Sequence, residues 1–335
     1  MTVLDPALLD TILRESRNPN TPVAVGGNST VAQVTVGLKS YAVKNYSSRV
    51  DALSRQEREW KALVFLDELV PGLAPRPIWR ATDEPLAIHS WIHGSKPELG
   101  PQTVDAMIGI LESLQNSCKT SAFDHQFARA VDSISNTEDI SQQILGRIKA
   151  QERDDDSDIA QVSSHIKNQL VNLNTNSPTP GGNARARMTL SPSDFGPHNM
   201  IHQPRASKYS LIDLEFFGID DIHKLIGDTI LHPQTVWTTD LLHQFLEAAN
   251  RVLAIDQKWL EELLPFLSLK WSTIVLGRMS RLDGRKVNFD LRGELRDLAL
   301  FYSRLAQPGD PGNILSRIIE RAGSLSAPIQ SNQKD

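Results

Sequence analysis

The chain has 335 residues, too many for one small core and enough for one two-lobed unit or two modest domains. Apolar residues make up 40% and charged residues 22%, a globular balance, and the net charge of −5 excludes the basic footprint of a general nucleic-acid binder. The single cysteine, Cys118, excludes a disulfide framework and paired-cysteine metal sites, and it fits a reducing compartment.

The opening MTVLDPALLDTILRES carries early acids and no basic segment ahead of an apolar run, so no targeting segment is expected. Its apolar residues Leu4, Leu8, Leu9, Ile12 and Leu13 recur at helical spacing. No apolar run approaches the roughly 20 residues needed to span a bilayer. The expectation is a soluble, cytoplasmic protein without membrane or nucleic-acid partners. Residues 21–46 predict strands, because VAQVTVG and SYAVKNY alternate and are rich in β-branched and aromatic side chains, with Gly37 in the turn between them. Residues 54–69 predict a helix opened by a capping box, Ser54 with Glu57, and ended by Pro71, Gly72, Pro75 and Pro77. PLAIHSWIHG reads as a buried strand running into a linker.

Beyond Gly94 the pattern turns helical, with period-3.6 apolar spacing over residues 103–117, 123–134, 140–150 and 159–173. ERDDDSD (152–158) reads as a solvated acidic turn and NTNSPTPGGNARAR (174–187) as a loop. Two short strands are expected over 199–202 and 209–213, and residues 221–323 are mostly helical. The expected divisions are a nucleotide-binding lobe over 1–92, a helical lobe with the catalytic and metal loops over 93–323, and a frayed tail over 324–335.

Two segments carry the chemistry. LSPSDFGPHNM (190–200) places Asp194 and Asn199 in a D-x-x-x-x-N spacing, and SLIDLEFFG (210–218) places Asp213 at the end of an apolar strand, before a turn with Gly218. The aspartates are 213 − 194 = 19 residues apart, enough for a tight hairpin to bring them together. Phosphoryl transfer needs one carboxylate to orient the attacking hydroxyl and take its proton, and a carboxylate with an amide to hold magnesium against nucleotide phosphates. The letters D-F-G at 194–196 match the magnesium motif of protein kinases, but no H-R-D-like segment lies upstream and Asn199 follows five positions on. Asp194 is therefore assigned as catalytic base, with Asn199 and Asp213 as metal ligands.

The N-terminal region supplies the rest. YAVKNY resembles the V-A-I-K strand, with Lys44 as the phosphate-binding lysine. Gly26 and Gly27, in VGGNSTVAQV, let backbone approach phosphates closely. Glu59, on the inward face with Leu63 and Leu66, is the expected partner of Lys44; Glu57 caps the helix and pairs with Lys61. Glu215, Asp220 and Asp221 read as a solvated acidic turn. His198, His202, His223 and His232 read as structural, since no H-x-x-x-H pair supports a metal, and Trp91 and Trp271 read as packing residues.

The order strand lysine, helix glutamate, hinge, D-x-x-x-x-N and strand-end aspartate resembles the aminoglycoside phosphotransferase and choline kinase superfamily over residues 20–230. The family's H-G-D-x-x-P-x-N loop corresponds to residues 192–199, and its I-D-W/F-E segment to Ile212, Asp213, Leu214 and Glu215. Its hinge pattern, an aromatic, an aliphatic, one residue and glycine, corresponds to Trp91, Ile92, His93 and Gly94. The resemblance implies an α+β, two-lobed, protein-kinase-like fold. It implies ATP in the cleft with its adenine held by backbone groups of Ser90 and Ile92, magnesium, and a small-molecule hydroxyl acceptor bound by the C-terminal lobe. Two departures stand out. Pro192 and Ser193 replace the His-Gly ahead of the catalytic aspartate. Leu225 occupies the region of a helix aspartate that braces the family's catalytic loop, with Asp228 one turn later as its expected replacement.

The stretch 270–294 carries Lys270, Arg278, Arg281, Arg285, Lys286 and Arg292 against three acids, which suits a sugar-like, neutral or anionic acceptor over a polycationic one. The rival reading is a non-catalytic, nucleotide-binding kinase-like module with a regulatory or scaffolding role.

Overall fold

The computed structural model describes residues 4–26, 29–46, 50–118, 127–151, 156–174, 187–282, 289–306 and 311–324. Gly27, Arg285, Lys286, the tail 325–335 and most of the two expected turns at 152–158 and 174–187 lie outside them.

Helix α1 (Pro6–Ser16) opens at Asp5, whose carboxylate accepts the amides of Ala7 at 2.9 Å and Leu8 at 3.1 Å. It lays Leu4, Leu8, Leu9, Ile12 and Leu13, the same five apolar residues read from the sequence, against a small core of Ala32, Val34, Tyr41, Val43 and Ile88. That core is one face of an antiparallel sheet built from β1 (Val23–Val25), β2 (Ser29–Val36), β3 (Lys39–Tyr46), β4 (Pro77–Arg80) and β5 (Leu86–Ser90), in the order β1-β2-β3-β5-β4. Gly37 turns β2 into β3 at φ 62°, a left-handed position that suits glycine.

Helix α2 (Ala52–Leu69) starts two residues before the expected capping box. Asp51 stands at its N-cap and pairs with Arg55 at 3.2 Å, so Ser54 and Glu57 lie inside the first turns and Glu57 serves only its pair with Lys61 at 2.8 Å. Ala62, Leu63 and Leu66 bury into the second, larger core. Ala52, at its other end, packs on Tyr46 and Ala87 of the sheet, so the helix contacts both halves of the molecule.

The larger core is helical: α3 (Pro101–Cys118), α4 (Thr137–Gln151), α5 (Ser157–Asn174), α6 (Ile222–Leu231), α7 (Thr239–Leu253), α8 (Gln257–Ser280), α9 (Phe289–Leu305) and α10 (Pro311–Ser324). Helix α8 runs through its middle, buried along most of its length from Trp259 to Ser280. No helix among the described residues is long and apolar enough to cross a membrane. The helix expected over 123–134 is not formed where it is described: residues 127–136 are extended and turned, with Arg129 bridging Ile219. Gly218 permits that approach, since a Cβ there would lie 2.5 Å from the Ala130 nitrogen.

Two hairpin-like pairs seat the chemistry between the cores. Strand β6 (Met188–Ser191) pairs with β9 (Gly218–Asp221), and β7 (Met200–Gln203) pairs with β8 (Lys208–Leu211). Strands β7 and β8 stand within a residue or two of those expected over 199–202 and 209–213, whereas β6 and β9 are not among the expected strands, and β9 is spelled GIDD, which looks like a solvated turn. Both of its aspartates are buried.

Candidate active site

The β7–β8 register sets Met200 opposite Leu211, and the pairing continues one step outward, where Ile212 donates its amide to the Asn199 carbonyl at 2.9 Å. Asn199 thus lies beside Asp213. Asp213 adopts φ 61°, a left-handed backbone that swings its carboxylate out of the strand line and toward β3. There Lys44 Nζ donates to Asp213 Oδ1 at 2.6 Å and to Glu59 Oε2 at 2.7 Å. The strand lysine, the helix glutamate and the strand-end aspartate, 169 positions apart at their extremes, meet at one ammonium.

One face of α2 holds this arrangement. Arg55 pairs with Glu215 at 2.8 Å, Arg58 donates to the Phe217 carbonyl at 2.9 Å, and Glu59 Oε1 accepts the Leu214 amide at 3.1 Å. Positions 55, 58 and 59 share a helix face, so three consecutive contacts grip the segment 214–217. Tyr46 adds its hydroxyl to Glu59 Oε2 at 2.5 Å.

Electrostatics follow from burial and crowding. Burial alone would lower the Lys44 pKa, but the carboxylates of Glu59, Asp213 and Glu215 outweigh it and raise it. Burial would raise Glu59, and Lys44 together with the Tyr46 hydroxyl brings it below the usual value. Glu215 is pushed up to about 7 by burial and by the negative charge of Asp213. It is not part of a solvated turn, and neither are Asp220, which binds Lys224 at 2.6 Å, and Asp221, which binds Arg187 at 3.0 Å.

Asp194 lies on the loop after β6. Burial pushes the carboxyl up, but its Oδ1 receives His198 Nε2 at 2.9 Å and lies 3.3 Å from His232 Nε2, and these two imidazoles hold it well below its usual range. Sequence reasoning assigned both histidines to structural roles. The missed signal is tertiary for His232, which caps the end of α6, and positional for His198, four residues after Asp194. Asn199 Nδ2 donates to the Asp194 carbonyl at 3.0 Å, which turns its amide oxygen away from that bond. Ser193, where the family pattern has glycine, adopts φ 67° and donates its hydroxyl to the Phe216 carbonyl at 2.9 Å.

At the hinge, the Ser90 amide donates to the Arg76 carbonyl at 2.9 Å. Gly94 then lets the linker meet β7, where a Cβ would lie 2.1 Å from the His202 carbonyl oxygen. Gly26 closes the β1–β2 turn by donating its amide to the Ser29 carbonyl at 2.8 Å.

One expectation is overturned. Asp228 does not touch the catalytic loop: it accepts Lys270 at 2.7 and 2.6 Å and Trp271 Nε1 at 3.1 Å, all buried. Of the six basic residues in 270–294, two are paired inside the protein, Lys270 with Asp228 and Arg292 with Asp156 and Asp158, and Arg285 and Lys286 lie outside the described residues.

No protein-family model matches the chain, and no curated protein matches it in sequence. Its fold does match solved structures. A choline kinase of Streptococcus pneumoniae superposes with a TM-score of 0.58 at 15% identity, covering 89% of this chain and 99% of that one. A putative aminoglycoside phosphotransferase of Ralstonia eutropha gives 0.61 at 13%, covering 96% and 98%. The ADP-bound aminoglycoside phosphotransferase APH(2'')-Ib gives 0.56 at 17%, covering 88% and 97%. With its sheet-bearing and helical halves joined in this way, the chain has the α+β, two-lobed, kinase-like fold of the choline kinases and aminoglycoside phosphotransferases.

Proposed function

We propose that the chain is an ATP- and magnesium-dependent phosphotransferase acting on a hydroxyl of a small molecule. The observation that carries this is the meeting of Lys44, Glu59 and Asp213 at 2.6–2.7 Å beside Asn199 and Asp194, a set of groups that a binding scaffold does not need. The donors suit magnesium, since a carboxylate and an amide oxygen are hard ligands for a hard cation. Asp213 and Asn199 would hold the ion, which supplies charge neutralisation on the phosphate oxygens. Lys44, fully charged at neutral pH, binds phosphate oxygens; Gly26 and Gly27 are assigned to the loop above them, and Ser90 and Ile92 to the adenine. That the fold is shared with an ADP-bound phosphotransferase supports nucleotide use.

In the reaction the acceptor oxygen attacks the γ-phosphorus, the bond from phosphorus to the β,γ-bridging oxygen breaks, and ADP leaves. The hydroxyl proton passes to Asp194, which its low pKa keeps ionised and so able to act as the acceptor. We assign the acceptor to the sugar-like class and the setting to the cytoplasm, where ATP is supplied. The side chains that meet Asp194 are the imidazoles of His198 and His232, polar groups that suit a hydroxyl-rich molecule.

Two measurements test the reading. Titration calorimetry with ATP should show binding that requires magnesium in the wild type and is lost in Asp213→Ala; equal affinity with and without magnesium supports the scaffold reading instead. A screen of ATP consumption over sugars, sugar phosphates, amino alcohols and aminoglycosides identifies the acceptor, and activity confined to aminoglycosides overturns the sugar-like assignment.

A further inference from the structure

Asp194, His198 and His232 bring three metal-capable side chains within reach of one another. Their geometry is wrong for an ion. The two imidazoles are stacked, 3.8 Å apart and 7° from parallel, so the Nε2 axes run side by side and do not converge as ligands around one centre must. Both Nε2 atoms still reach the same carboxylate oxygen, His198 through a hydrogen bond at 2.9 Å and His232 at 3.3 Å, and a hydrogen-bond donor tolerates the off-axis approach that a coordinating lone pair does not. We propose that His198 and His232 are positioning residues for phosphoryl transfer, clamping Asp194 Oδ1 so that Oδ2 alone meets the acceptor hydroxyl. The inference rests on the reading of Asp194 as the base.

Four observations support it. The tautomer of His232 is set by its backbone surroundings: the Gln234 amide donates to Nδ1 at 3.2 Å, so the ring hydrogen sits on Nε2, facing Asp194. The His232 ring is held by Trp271, edge to face at 5.0 Å, and Trp271 is itself fixed by its bond to Asp228. His198 folds back over its own loop because residue 196 is glycine; a Cβ there would lie 2.8 Å from both Nδ1 and Cε1 of that ring. Among the described residues, Oδ2 of Asp194 takes no hydrogen bond, and the side chain stays 37% exposed. An aspartate with both oxygens free rotates about its last torsion and loses alignment; two donors on one oxygen remove that freedom, which is where positioning contributes to rate. Asp228 thus reaches the catalytic loop after all, through Trp271 and His232, although it does not touch it.

The test uses the full chain. In a long-range proton–nitrogen spectrum at neutral pH, both rings should appear as Nε2–H tautomers; a Nδ1–H tautomer at either ring overturns the clamp. Phosphate release from magnesium-ATP, with water as acceptor, is then compared across variants. His232→Phe keeps the ring stack and the Trp271 contact but removes the donor, and should lower kcat about tenfold with ATP affinity unchanged, whereas His232→Gln, which restores an amide donor near the Nε2 position, should recover most of it. Equal kcat in the phenylalanine and glutamine variants overturns the proposal. Asp194→Asn is run beside them: if it lowers kcat while His232→Phe does not, the clamp fails alone, and if Asp194→Asn has no effect, the reading of the base fails first.

Discussion

Glu59 Oε1 accepts the Leu214 amide at 3.1 Å, while its other oxygen holds Lys44. One side chain of a helix packed against both the sheet and the larger core therefore sets the height of the segment around Asp213 and the position of Lys44 together. Glu59→Gln keeps the length and removes the charge, leaving Lys44 to the Asp213 carboxylate, the proposed magnesium ligand. Magnesium-ATP affinity should fall about tenfold, or ~1.4 kcal/mol, and unfolding stability by roughly 2 kcal/mol, less than for a fully orphaned buried charge. Calorimetry and urea titration read the two effects, and unchanged affinity would remove Glu59 from the site.

Asp194→Asn should leave magnesium-ATP affinity unaltered and lower turnover by a factor on the order of a hundred or more, the usual range for losing a general base. Steady-state kinetics with the acceptor found by screening decides it. Intact turnover would mean that the proton leaves by another route.

Ser193 combines a strained backbone with a useful hydroxyl. Its φ of 67° costs a non-glycine residue about 1 kcal/mol, and its bond to the Phe216 carbonyl contributes a similar amount. Ser193→Gly should thus stay within about half a kcal/mol of the wild type, because it removes both. Ser193→Ala keeps the strain without the bond and should be about 1 kcal/mol less stable than wild type. Denaturant midpoints that rank alanine above glycine would contradict this account.

His89 gives a pH dependence whose sign can be worked out. Burial, opposed in part by Glu59, lowers its pKa from 6.5 to about 4. Between those values the unfolded chain binds a proton that the folded chain refuses, so stability is full above 6.5 and declines as pH falls toward 4. The loss attributable to this one group is about 3 kcal/mol when the window has been crossed. Unfolding measured at pH 7 and pH 5 should show a smaller pH effect in His89→Gln than in the wild type. Identical slopes would show that His89 is not the group responsible.

The sequence by itself determined what depends on near neighbours along the chain. The amphipathic stripe of α1, the alternation in β2 and β3, the helical spacing in α3, α4 and α5, and the two motif segments around Asp194 and Asp213 are all local patterns, and local hydrogen bonding realises them. It also singled out Glu59 over Glu57, because inward-facing Leu63 and Leu66 fix which side of α2 is buried. Tertiary structure decided everything whose meaning depends on a distant partner. Whether GIDD is a wet turn or a buried strand depends on Lys224 and Arg187 being there to neutralise it. Whether Lys270 and Arg292 face a substrate depends on Asp228, Asp156 and Asp158 having already taken them. His232 becomes part of the site only because the end of α6 comes to rest 3.3 Å from a carboxylate 38 positions earlier in the chain, and spacing carries no signal of such a meeting.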